Sequence, residues 1–239
     1  MPVRRRRKPT QPARVRVRRG NQEDAQKLRG EMLEAAMELF SDRGLESVSM
    51  RAVAERIGVS AMTPYRYFAD KAELLSGLWQ FVLRALFNQM VEAICAHSDA
   101  RSRVRASLAA FLDYWEANPE HYRLVYMTEQ TMRREEKAGG LTSAPVYGEL
   151  LDLVRGVLED FAREIGASTT HLKLANDIRT IMQLGYLHGT LINRRYPWSE
   201  RSLLRAVYLE QAIATIERML LHGPGPLVQS GSASAARAL

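Results

Sequence analysis

The stretch Val59 to Lys71, VSAMTPYRYFADK, decides the reading of this chain. It has the pattern of a tight turn, a short helix and the capped start of a longer one, with Pro64 inside the short helix. If Ser60 is the N-cap, Pro64 falls at the fourth helical position and removes the first intrahelical bond. If Thr63 is the cap, Pro64 stands at the first position, where a missing donor costs little. A residue before proline resists the α region, so an irregular or 3₁₀ first turn is expected over 61–63, with Tyr65–Phe68 as the regular part. Tyr65 and Tyr67 cannot both face a core on so short a helix. At least one must be exposed, with a hydroxyl suited to a phosphate oxygen.

Working outward, Ser49 is placed to cap a helix over 50–57 whose inner face is Val53, Ala54 and Ile57. Gly58 supplies the left-handed turn position, and Val59 is a small apolar plug between two steeply crossing helices, the pattern of a helix-turn-helix. Upstream, Met32, Leu33, Ala36, Met37 and Phe40 recur at helical spacing in a helix that begins near Gln26 and that Gly44 ends. Downstream, Asp70-Lys-Ala-Glu73 reads as a capping box, opening a long helix through Leu74, Leu78, Val82 and Leu86.

The remainder is helical as well. Asn118-Pro119 places an N-cap before a proline at the first helical position. Residues 134–143 form a polar break. Three long helices are expected over 145–165, 171–195 and 199–221, separated by Gly166–Thr170 and Tyr196–Trp198. No segment alternates as a strand, and no repeat is present. The expected fold class is all-α, an N-terminal three-helix helix-turn-helix domain followed by a larger helical domain, whose ligand-binding and dimerisation roles are implied by the family resemblance given below. The divisions are a disordered basic arm over 1–25, the helix-turn-helix domain over 26–70, the larger helical domain over 71–222, and a disordered tail over 223–239.

Charge sharpens the picture. The chain of 239 residues has a net charge of +7, yet residues 1–20 carry nine basic residues and no acid, leaving −2 for the rest. The basicity is therefore an arm, read as tracking phosphates or entering a minor groove, or else as a solubilising extension or untranslated sequence added by a mis-chosen start codon. Residues 21–79 carry seven bases and ten acids, with the acids gathered in the first helix and the bases near the turn. The arm is therefore expected to supply much of the non-specific affinity. The one cysteine, Cys95, excludes an intrachain disulfide and suits a reducing cytoplasm. No apolar run reaches the roughly 18 residues of a membrane span, so no membrane partner is expected.

Taken together, Phe40–Gly44, Val53-Ala54, Gly58-Val59-Ser60, Tyr65-Arg66-Tyr67-Phe68, Lys71 and Leu74 resemble the TetR/AcrR family of transcriptional regulators. The match covers about residues 26–79, and Asn118–Met127 is similar to a segment of the family's ligand domains. At Pro64 the family pattern has an aliphatic residue instead. The resemblance implies a homodimer joined through the last two long helices, on a double-stranded DNA operator. It places Arg51, Ala61, Met62, Thr63 and Arg66 in the major groove, and Ser49, Tyr65, Tyr67 and Lys71 on phosphates. Side-chain chemistry sorts them the same way. Arg51 and Arg66 can pair with guanine, Thr63 can meet a thymine methyl, and Ala61 and Met62 offer apolar contact.

The central helices suit an apolar effector pocket walled by Phe87, Met90, Phe111, Tyr114, Trp115, Tyr122 and Tyr126, with His121 and His188 as polar anchors. Against this stands the reading of each aromatic as plain core. The expected effector is a hydrophobic or aromatic small molecule, a cationic one included. No cofactor, metal site or catalytic constellation is expected; the five histidines show no ligand spacing. The leading function is a repressor released by its effector. The alternatives are an activator or ligand-independent regulator, or an all-α scaffold whose arm binds acidic partners.

Overall fold

The computed structural model describes the backbone of residues 14–127, 144–193 and 195–225, and side chains within these ranges from residue 22. Every described element is helical. The chain forms two compact units, one through Leu78 and one from Trp79.

In the first unit, α1 (Arg14–Arg43) begins well before Gln26. Extending an existing helix adds one bond per residue fixed, and Arg, Gln and Glu are good helix formers, so the turns upstream of the apolar stripe need no core contact of their own. The disorder expected of the basic arm is thereby corrected over 14–25; residues 1–13 lie outside the described residues. At the other end, the Gly44 N–H donates to the Phe40 carbonyl at 2.7 Å. Helix α2 (Met50–Arg56) starts as expected, with Ser49 Oγ accepting from the Ala52 N–H at 3.2 Å. It is fastened to α1 by Arg56, which pairs with Glu38 at 3.1 Å and Asp42 at 2.8 Å. Met32, Ala36, Val53, Phe68, Leu74 and Leu78 close the core.

Helix α3 (Lys71–Cys95) supplies residues to both units. Its start is tied by a reciprocal cap displaced by one residue. Asp70 Oδ1 accepts from the Glu73 N–H at 2.8 Å, and Glu73 accepts from the Ala69 N–H at 2.6 Å.

The second unit adds α4 (Ala100–Ala117), α5 (Pro119–Tyr126), α6 (Pro145–Glu164), α7 (Leu172–Leu187, followed by a π-helical turn at His188–Ile192) and α8 (Arg201–His222). Pro119 opens α5, but Asn118 does not cap it with its side chain. Its Nδ2 donates back to the Tyr114 carbonyl at 2.8 Å and so closes α4 instead. Helices α4 and α8 run antiparallel along a ladder of ion pairs: Arg101 with Glu217 at 2.6 Å, Arg105 with Glu210, and Arg205 with Asp113 and Glu116 at 2.5 and 2.8 Å. The expected break over 134–143 and all of the expected tail beyond Gly225 lie outside the described residues. Among the described residues no helix is long and apolar enough to cross a membrane.

Candidate nucleic-acid interface and ligand cavity

The turn after α2 is built by Gly58, at φ 72°. Its N–H donates to the Glu55 carbonyl at 3.2 Å and the Val59 N–H to the Ala54 carbonyl at 2.9 Å, a Schellman closure that only a left-handed residue completes easily. The helical segment after this turn is shorter than a recognition helix read from spacing. Pro64–Arg66 is a single 3₁₀ turn, so the regular helix expected over Tyr65–Phe68 is corrected. The cause is local. In an α-helix the residue-64 N–H would bond the Ser60 carbonyl, and proline has none. The Thr63 N–H takes that carbonyl instead at 2.8 Å, tightening the turn. Arg66 then donates to Thr63 at 3.0 Å, and Tyr67 and Phe68 both donate to Pro64 at 2.9 Å. Thr63 itself stands at the N-cap with αR dihedrals.

This turn is pinned from below. Pro64 and Phe68 are buried, and Arg29 lies 4.8 Å over the Phe68 ring. Gly77 lets that stack approach, since a Cβ there would meet Arg29 and Phe68 at 3.1 Å. With 64 and 68 inward, Ala61, Met62, Tyr65 and Arg66 stand outward together, Met62 at 69% and Tyr65 at 52% exposure. Arg51 is exposed, and Thr63 and Tyr67 are half-buried. Lys71 Nζ donates to the Leu45 carbonyl at 3.3 Å, which leaves donors for a further acceptor. Ser49 Oγ, though it caps α2, likewise retains its own proton.

In the second unit a cavity of about 80 Å³ lies among α3, α4, α5, α6 and α7. Met90, Phe111 and Tyr126 line it, with Leu83, Leu86 and Leu150 beside them. Its polar wall is Arg179, Thr180 and Gln183 of α7. Arg179 and Gln183 are buried, and burial pulls the Arg179 guanidinium down to about 10, which still leaves it charged at neutral pH.

Beside this cavity lies an aromatic core. Trp115 is fully buried and meets Phe111, Tyr114, Tyr122 and Tyr126 edge-on, with ring centroids 5.0–6.0 Å apart. Tyr114 donates to the Val82 carbonyl at 2.8 Å, so its single proton is spent there. His121 Nδ1, 2.9 Å away, must therefore be the donor to the Tyr114 oxygen. Burial lowers the His121 pKa and pushes that of Tyr122 up to about 12.

The family model for bacterial regulatory proteins of the tetR family matches residues 32–78, the segment just described. Beyond it, the chain is 32% identical over 152 residues to the transcriptional activator FasR of Mycolicibacterium smegmatis, covering 62% of this chain and 69% of that protein. The chain belongs to the TetR family. Two solved structures share the fold: the TetR-family regulator PfmR of Thermus thermophilus, at TM-score 0.53 and 20% identity over 82% of this chain and 99% of that one, and the regulator FadR of Bacillus subtilis in complex with stearoyl-CoA, at TM-score 0.57 and 15% identity over 82% and 98%. This chain is thus a DNA-binding transcriptional regulator of the TetR family, in a class of regulators rather than enzymes.

Within this TetR-family chain, the nine residues expected at DNA lie on the turn, at the start of α2 before it, or at the start of α3 after it. The nine expected at ligand divide. Met90, Phe111 and Tyr126 line the cavity. Trp115, Tyr114, Tyr122 and His121 do not; they form the core behind it. Phe87 packs under Arg84 with the guanidinium 5.2 Å from its ring, and His188 is exposed, its Nδ1 3.3 Å from the Tyr122 hydroxyl. Sequence reasoning missed Arg179, Thr180 and Gln183, since polar residues at this helical spacing carry no signal that separates a buried face from a solvated one.

Proposed function

We propose that this chain is a homodimeric, sequence-specific regulator whose hold on a double-stranded operator is set by a small molecule in the second unit, and that it acts as a repressor. The observation that carries the DNA reading is the outward set Ala61, Met62, Tyr65 and Arg66 above buried Pro64 and Phe68. Arg66 and Arg51 would read guanine, Thr63, Ala61 and Met62 would meet methyl-bearing edges, and Ser49, Tyr65, Tyr67 and Lys71 would hold phosphates. With so few polar readers, DNA shape contributes to the choice of site.

The dimer reading is supported by the last two helices, which leave Ile181, Leu203 and Val207 at 66, 58 and 50% exposure. A row of large aliphatic side chains on two neighbouring helices is the kind of surface a second copy covers. Coupling would run along α3, which carries Leu74 and Leu78 in one unit and the cavity residues Leu83, Leu86 and Met90 in the other. A ligand favouring a different α3 position shifts the population of dimers whose half-site spacing fits about 34–36 Å. The place of action is the cytoplasm. An activator is the second reading, favoured by the name of the FasR relative.

A gel shift on DNA upstream of the chain's own gene, with Tyr65→Ala and Thr63→Ala as controls, tests the DNA reading. Loss of the shift in both variants supports it; binding that depends on salt alone overturns it. A monomer by light scattering at micromolar concentration contradicts the dimer.

A further inference from the structure

Helix α7 is inside out at its centre. Its buried positions are Ala175, Arg179, Gln183 and Leu187, one per turn, while Ile181 is 66% exposed. Burying a guanidinium is costly unless a partner compensates it, and structural arginines are compensated by carboxylates or by carbonyls of neighbouring elements. Arg179 has neither among the described residues. Its Nε donates to Asn176 Oδ1 at 3.0 Å, Nη2 to Thr180 Oγ1 at 3.1 Å, and Nη1 to Gln183 Oε1. All three partners are neutral, and all lie on the same helix, so none of these hydrogen bonds ties Arg179 to a neighbouring element. Three of five N–H donors are used. Beside it, the buried Gln183 Nε2 has no partner among the described residues. Both side chains line the apolar cavity.

We propose that this cavity is the seat of a monocarboxylate with an apolar body, its carboxylate on Arg179 and Gln183 and its hydrocarbon against Leu83, Leu86 and Met90. This rests on the reading of the second unit as an effector domain and names the effector's class. The guanidinium fork and the amide N–H match a planar oxyanion. Among the described residues that line the cavity, Arg179 is the one that carries a charge, which fits a single negative charge and not a polyphosphate head. A cationic effector, allowed by the sequence, would meet a like charge. About 80 Å³ is room for two to three water-sized groups at about 30 Å³ each, enough for the carboxylate end of the molecule. The remaining hydrocarbon leaves past Leu151, which lines the cavity and is 48% exposed.

The test is titration calorimetry on the full chain without DNA, using decanoate, decan-1-ol, decylamine and decanoyl coenzyme A, with hexanoate and phenylacetate for size. The account predicts that a carboxylate binds at least tenfold tighter than the alcohol, the amine or the thioester. Arg179→Met then loses at least tenfold for the acid with alcohol binding unchanged within twofold, and Arg179→Lys keeps a reduced preference for the acid. A melting curve checks that each variant folds; the wild-type comparison needs no variant. Equal or tighter binding of alcohol, amine or thioester, an Arg179→Met variant that keeps the acid preference, or no binding of any carboxylate overturns the proposal. Because DNA is absent, such a failure leaves operator binding by the same preparation to be judged separately.

Discussion

The Ser60–Phe68 turn and the Arg179 cavity are the two proposed functional surfaces, and they are built in opposite ways. The turn is assembled from consecutive residues, and each side chain's fate follows from its neighbours. Pro64 and Phe68 go in, so 61, 62, 65 and 66 go out. The cavity is assembled from residues up to about a hundred positions apart, on five helices, and its decisive member is a charge where an apolar residue would be expected. The first kind of site rests on chain geometry, the second on packing that brings distant faces together. Substitutions should therefore separate into effects on stability, on DNA and on ligand.

The largest effect is expected at Trp115→Ala, which empties the centre of the aromatic core and should cost about 3–5 kcal/mol in denaturant unfolding. Phe111→Ala, half-buried on the cavity wall, should cost less and alter ligand binding instead; equal losses would merge core and cavity into one. Next, Arg66→Ala should weaken specific DNA binding by about 1–3 kcal/mol, measured by fluorescence anisotropy, with the unfolding midpoint unchanged. Gly58→Ala places a Cβ at φ 72° and should cost about 1–2 kcal/mol of stability through the turn alone.

The smallest effect is a pH slope. Burial holds the His121 pKa below its ordinary 6.5, so below that pH the unfolded chain binds more protons than the folded one. The resulting stability is complete above about pH 6.5 and is lost as pH falls through the lower folded value. His121→Gln should flatten that slope in the melting temperature, and an unchanged slope would remove His121 from the account.

These contrasts also explain what the sequence made legible. Gly58, Ser49 and the Asp70–Glu73 cap act within four residues of themselves, and each stands where spacing put it. The aromatic residues were found as a group, but whether a ring walls a cavity or fills a core depends on neighbours from other helices; Phe111 and Trp115, one turn apart, went different ways. Arg179 and Gln183 were illegible because a polar pair at helical spacing reads as solvated surface until the fold turns it inward. The early start of α1 escaped notice because helix propagation needs no apolar signal.

The most direct test of the central claim is the affinity of the full chain for its own upstream DNA against a scrambled duplex, at matched salt, for wild type, Thr63→Ala and Tyr65→Ala. The account predicts a wild-type preference of at least about a thousandfold for the operator, with Thr63→Ala reducing mainly the preference and Tyr65→Ala reducing affinity for both duplexes. A wild type that binds both duplexes equally, with variants that change neither, would contradict it.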